Sequence, residues 1–82
     1  MKLVKIGASW CQPCAGLQMT LNEIDHPLVR SMEKVDIDTQ IDVAMKFGVR
    51  SVPTMLIVDE NDQVIRTMTG NQPAAKIIEF LA

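Results

Sequence analysis

Cys11 and Cys14, separated by Gln12 and Pro13, are the residues of this chain best suited to chemistry. Thiol–disulfide exchange needs a reachable thiolate and a second thiol held close to it. A C-x-x-C at the start of a helix meets both needs. The first sulfur then lies beside free N–H groups of the first turn, where the helix dipole favours negative charge. Such a position lowers a thiol pKa from about 8.5 to about 7 or below. Cys11 is therefore the expected nucleophile. Cys14 follows one turn later, points back toward it, and is expected to be the more enclosed, resolving thiol. Two plainer uses of the pair fit less well. Structural zinc takes four ligands, and the single histidine, His26, has no partner. Two inert core cysteines are common enough, but Pro13 between them and a strand just ahead speak against that reading.

The elements that must position this pair follow from the hydrophobic pattern. Leu3 to Ala8 reads as a short strand leading into Ser9-Trp10-Cys11. Pro13 suits the first turn of the following helix, whose Leu17, Leu21 and Ile24 recur at helical spacing. Asp25-His26-Pro27 ends it, because Pro27 disfavours helix in the residue before it. Lys34 to Ile37 reads as a second strand and Thr39 to Phe47 as a second helix, with Thr39 and Asp42 spaced as a capping box. Gly48 is placed to end that helix in a left-handed conformation. Thr54 to Val58 is an apolar run, as in a strand covered on both faces. Asp59-Glu60-Asn61-Asp62 is a turn, and Gln63 to Met68 returns as its hairpin partner. Gly70 to Gln72 is a loop. From Pro73 onward, Ala74, Ile77, Ile78 and Leu81 mark a terminal amphipathic helix. The predicted order is β-α-β-α-β-β-α. Strand–helix–strand units call for parallel pairing, and the short turn before the last strand calls for antiparallel pairing. The expected fold is α/β: a four-stranded mixed sheet flanked by three helices, in a single domain over residues 1–82.

Bulk properties narrow the class of function. Nearly half of the 82 residues are hydrophobic, enough to fill a small core, although aromatics number three. The net charge of −2 comes without a basic cluster, so no nucleic-acid footprint is expected. The apolar runs are too short to cross a bilayer, so no membrane span is expected either. The N-terminal residues lack the apolar core and cleavage site of a signal peptide, which points to the cytoplasm. In a reducing compartment a purely structural disulfide is disfavoured, so a C-x-x-C there calls for a redox explanation.

Trp10-Cys11-Gln12-Pro13-Cys14 resembles the thioredoxin motif Trp-Cys-Gly-Pro-Cys. A second stretch resembles the same family independently. Lys34-Val35-Asp36-Ile37-Asp38, followed by Phe47-Gly48-Val49-Arg50-Ser51-Val52-Pro53-Thr54, follows the thioredoxin run into its proline loop without a gap. Gly70 stands where the family has a glycine after its last strand. The chain thus resembles a small thioredoxin of glutaredoxin size, lacking the strand and helix that open a full-length member.

That resemblance implies further roles. Pro53 corresponds to the family's cis-proline facing the disulfide, whereas without the resemblance an ordinary trans proline opening a strand is favoured. A cis Val52–Pro53 bond exposes the Val52 backbone, with Ser51 before it, to pair with an extended substrate segment. Trp10 shields the disulfide and meets partners, besides filling space. Gly70 either lets a partner backbone approach or simply serves its turn. The implied partners are disulfide-bearing proteins, ribonucleotide reductase being one possible acceptor, and a thioredoxin-reductase-like flavoenzyme as electron donor. The implied protein is a monomer whose redox-active disulfide needs no cofactor and no metal.

Two departures stand out. Gln12 replaces the family's usual Gly between the cysteines, a place that influences redox poise, where about 30 mV corresponds to about 1.4 kcal/mol. Lys5 stands six residues before Cys11, where thioredoxins commonly bury an Asp that helps move the proton of the resolving thiol. A charged Lys5 favours thiolate, whereas burial lowers its own pKa and makes it a base. Snorkelling of Lys5 to solvent is the plainer alternative. Lys34 matches a family lysine near the buried acid; two close lysines repel, so at least one is expected to reach water. His26 reads as a loop residue.

Three other functions compete with protein disulfide reduction. A glutaredoxin-type enzyme fits the size, but Thr69-Gly70-Asn71-Gln72 lacks the Gly-Gly and Asp of the usual glutathione-binding pattern. A binding subunit with incidental thiols is the second. An oxidant or isomerase of an oxidising compartment is the third.

Overall fold

The computed structural model describes all 82 residues, Met1–Ala82. Strand β1, Lys2–Gly7, leads to helix α1, Gln12–Asn22. A single-turn helix α2 follows at Pro27–Arg30, then strand β2 at Glu33–Asp36 and helix α3 at Ile41–Lys46. The hairpin of β3, Thr54–Val58, and β4, Val64–Thr69, precedes helix α4, Ala74–Leu81. Four strands form one sheet in the order β2-β1-β3-β4. The expected α/β mixed sheet is present, but it carries four helices, not three.

The additional helix, α2, has a local cause. Pro27, which ends the preceding helical pattern, occupies the first turn of the next, where its missing N–H is no loss. His26 caps it: Nδ1 accepts the Leu28 N–H at 3.0 Å. His26 is therefore a capping residue, not simply a loop residue.

The pairing also departs from expectation in one place. β1 and β2 are parallel, as a strand–helix–strand unit requires. The second such unit does not give a parallel pair, because β3 runs antiparallel to β1. β2 ends at Asp36 beside Gly7, and β3 begins at Thr54 beside Ile6. The chain thus leaves and re-enters the sheet at the same end. Six residues of α3 span about 9 Å at 1.5 Å each, and the segment from Phe47 to Pro53 brings the chain back. β4 pairs antiparallel with β3.

The sheet divides the core into two layers. Leu3, Met55 and Ile57 face Leu17 and Leu21 of α1 and Ile77, Phe80 and Leu81 of α4. Val4, Ile6, Leu56 and Val58 face the opposite way, with Val35 and Ala44. β3 is buried on both faces, as its apolar run predicts. Burying side chains of this kind contributes roughly 1.5–3 kcal/mol each. The terminal helix turns Ile77, Phe80 and Leu81 inward and leaves Ile78 and Ala74 exposed. Phe80 takes the place expected of Ile78, because the buried stripe runs i, i+3, i+4 from Ile77 through Phe80 and Leu81.

The expected capping box of α3 does not form. The helix starts at Ile41, and Gln40 at its N-cap makes no side-chain cap bond. Asp36 organises this turn instead. Its Oδ1 accepts the Asp38 N–H at 2.8 Å, and its carbonyl accepts the Gln40 N–H at 2.7 Å. Gly48 does end the helix with φ +70°.

Candidate active site

Cys11 has extended backbone and forms the N-cap of α1, with Pro13 in the first turn. Its Sγ accepts the Cys14 N–H at 3.2 Å, so one free donor of the helix end points at this sulfur. The turn before it is closed by the Cys11 N–H on the Ala8 carbonyl, 3.2 Å. Cys11 and Cys14 are joined as a disulfide, with Cα atoms 5.2 Å apart. Gln12 and Pro13 lie exposed at the tip.

The two cysteines are equally enclosed, with exposures of 7% and 6%. The expected contrast in burial is absent; the contrast lies in what each sulfur meets. Cys11 Sγ sits on a backbone N–H. Cys14 Sγ faces Gly7, where an added Cβ would lie 3.3 Å away.

On the outer side, Trp10 is 64% exposed and its Nε1 donates to Asp38 Oδ2 at 2.9 Å. Trp10, Ile37, Ile41, Val49, Ser51 and Val52 surround an open groove of about 490 Å³. Trp10, Ser51 and Val52, far apart in sequence, therefore line one groove. Val52–Pro53 is a cis peptide and Pro53 is fully buried. The Thr54 hydroxyl donates to the Ser51 carbonyl at 2.8 Å, and the Gly70 N–H donates to the Pro53 carbonyl at 2.9 Å. Both steady the proline loop. The Val52 N–H and carbonyl have no partner within the chain. Gly70 has φ +83°, while a Cβ there would meet only Gln72 Nε2, at 3.7 Å. Turn conformation, not crowding, accounts for this glycine.

On the inner side, a solvent-open depression of about 340 Å³ is bordered by Lys5, Gly7, Cys11, Cys14, Lys34 and Asp36. Lys5 does not snorkel; it is 9% exposed, and its Nζ donates to Gln18 Oε1 of α1. Burial, and secondarily the neighbouring Lys34 ammonium, hold the Lys5 pKa below its ordinary value. Lys34 is the exposed member of the pair.

The family model for thioredoxin matches residues 1–82. The chain belongs to the thioredoxin family. It is 31% identical over 81 residues to a thioredoxin of Bacillus subtilis, covering 96% of this chain and 77% of that protein. A thioredoxin of Chlorobaculum thiosulfatiphilum is 33% identical over 84 residues, covering 96% and 78%. Among solved structures, the thioredoxin of Malassezia sympodialis superposes with a TM-score of 0.78 at 29% identity, covering 96% of this chain and 70% of the other. With its cysteine pair at disulfide distance, this thioredoxin-family chain is a thiol–disulfide oxidoreductase. Disulfide substrates and a reductase partner are general to such proteins.

Sequence reasoning missed Asp38, Gln18 and Gly7. The Trp10–Asp38 bond spans 28 positions, and no local pattern announces it. Gln18 was legible in one respect: it lies four residues after Cys14, on the same helix face. No three His, Cys, Asp or Glu side chains gather in a metal-holding cluster, and no helix is long and apolar enough to cross a membrane.

Proposed function

We propose that this protein reduces disulfides of extended protein segments, with Cys11 as nucleophile and Cys14 as resolving thiol. The carrying observation is the Cys14 N–H on Cys11 Sγ at the front of α1, which stabilises a thiolate there. Cys11 attacks one substrate sulfur, a Cys11–substrate bond forms, and the other substrate sulfur leaves as thiolate. Cys14, once deprotonated, attacks Cys11 Sγ and expels the second substrate thiolate. Two electrons pass to the substrate, and Cys11–Cys14 becomes the disulfide.

The free N–H and carbonyl of Val52 support strand-like pairing with the substrate backbone. The groove between Trp10, Ser51 and Val52 accepts an apolar substrate side chain. Gln12 and Pro13, exposed at the tip, set the sulfur environment without closing it. Gly70 serves the site by holding the Pro53 carbonyl. No cofactor beyond the cysteine pair enters these steps. The electron donor is a thioredoxin-reductase-like flavoenzyme, and the protein acts as a monomer in the reducing cytoplasm.

The test is trapping with a protein disulfide substrate. Cys14→Ser is expected to accumulate a stable mixed disulfide through Cys11, and Cys11→Ser to form none and lose turnover. Recycling of the oxidised protein by a flavin-dependent thioredoxin reductase, and not by glutathione alone, is expected. Efficient recycling by glutathione alone would instead establish a glutaredoxin-type enzyme.

A further inference from the structure

Lys5 occupies the middle of the sheet, between Lys34 of β2 and Met55 of β3. It is nine-tenths buried, yet no carboxylate pairs with it. Its one polar partner is Gln18 Oε1. The orientation of that amide is fixed from behind, because Gln18 Nε2 donates to Asn22 Oδ1 at 2.8 Å. Gln18 therefore presents its oxygen to Lys5, leaving the lysine nitrogen to be held by donation. A neutral amine held in this way retains its lone pair for a proton. Gln18 follows Cys14 by one helical turn, so Lys5 is drawn to the helix face that carries the resolving sulfur. Cys14 and Lys5 border the same depression, and Gly7 leaves the sulfur side of it open.

We propose that Lys5 is the proton acceptor of the resolving step, taking the proton of the Cys14 thiol across this depression. The inference rests on Cys14 being the resolving thiol. Cys14–SH gives its proton to the Lys5 amine, forming an ammonium and a thiolate. The thiolate attacks Cys11 Sγ in the mixed disulfide, the Cys11–substrate bond breaks, and the substrate leaves as thiolate. The proton on Lys5 then passes to that thiolate or to solvent.

The surrounding charges are few. From β2, Lys34 and Asp36 face the depression. From α2, Arg30 pairs outward with Asp25. α1 and β3 present only the neutral Gln18 and Met55. Desolvation and Lys34 both favour the neutral amine, which agrees with a base. Asp36 is the rival acceptor: its Oδ1 takes the Asp38 N–H while its Oδ2 is free, so Asp36→Asn is the control that separates the two.

The test separates the two exchange steps. Reduced protein is mixed rapidly with a peptide disulfide, quenched by alkylation, and the mixed disulfide is followed by mass spectrometry between about pH 5 and pH 10. Lys5→Met is expected to leave formation of the mixed disulfide unchanged. Its decay slows by up to about 30-fold near pH 7, where an ordinary thiol of pKa about 8.5 is only about 3% thiolate. The decay of this variant should then follow ordinary thiol ionisation. Lys5→Arg keeps the charge without giving up a proton and is expected to remain slow. Normal decay in Lys5→Arg would show a fixed cation at work and overturn the proposal. So would an unaltered profile in Lys5→Met, or a slow decay confined to Asp36→Asn. In the unsubstituted reduced protein, the Lys5 Cε resonance should titrate below those of the other lysines; a normal titration also overturns it. Absence of any mixed disulfide in the unsubstituted protein would instead count against the roles of Cys11 and Cys14.

Discussion

The two sides of the Cys11–Cys14 disulfide are built from different materials. Past Trp10, the neighbour of Cys11, the outer side carries a mostly apolar groove of about 490 Å³ that neither sulfur lines, rimmed by the exposed Trp10, Arg50 and an unpaired Val52 backbone. The inner side is a solvent-open depression of about 340 Å³ with two lysines and a carboxylate around it. Both sulfurs are equally buried, so exposure does not distinguish them. Their neighbours do. The outer side offers apolar surface and free backbone groups; the inner side offers two lysines and a carboxylate. Under the proposed roles, recognition and proton handling are open to separate alteration on a chain of 82 residues.

The largest expected effect that sharpens this contrast is on the outer side. Trp10→Ala should lower kcat/KM for a folded protein disulfide by about tenfold, as expected when about 1.4 kcal/mol of interface contact is lost. Reduction of a small aromatic disulfide by the same variant should hardly change, and the melting temperature should move little because Trp10 is mostly exposed. Equal losses on both substrates would merge the two sides into one.

Gly7→Ala probes the inner side. The added Cβ meets Cys14 Sγ at 3.3 Å, so the sulfur must give by a few tenths of an ångström. Overpacking costs roughly 1–3 kcal/mol, and this mild case belongs at the lower end. Denaturant unfolding should show a loss of about 1 kcal/mol, with attack by Cys11 retained and release by Cys14 slowed.

The smallest effect is a slope. The folded pKa of Lys5 lies below its unfolded value near 10.5. Between those two values the unfolded chain binds the extra proton, so stability rises with pH there. Below the folded pKa the burial cost of the ammonium is fully present. At any pH below the unfolded value the lowered pKa costs stability, so Lys5→Met should raise stability at neutral pH and flatten this part of the profile, measured by urea unfolding across the alkaline range. An unchanged slope would place Lys5 in water.

Much of the fold was legible from local patterns. The apolar run from Thr54 to Val58 coincides with β3, and Gly48 ends its helix as its lack of a side chain allows. α2 escaped notice because four residues are too few to show a period, and Pro27 read as a stop although it is also a start. The direction of β3 was not legible, because it depends on where a short helix and an irregular return deliver the chain.

The sequence by itself determined the order of most elements, the C-x-x-C at a helix front, and, through the proline-loop motif, the family. These are properties of neighbouring residues, where spacing translates directly into periodicity, capping and dipole. Tertiary structure alone decided that Lys5 is buried against Gln18, that Trp10 binds Asp38, and that Gly7 backs the Cys14 sulfur. Each joins segments 7 to 28 positions apart. Their energies depend on how the sheet and helices pack, which no local pattern encodes.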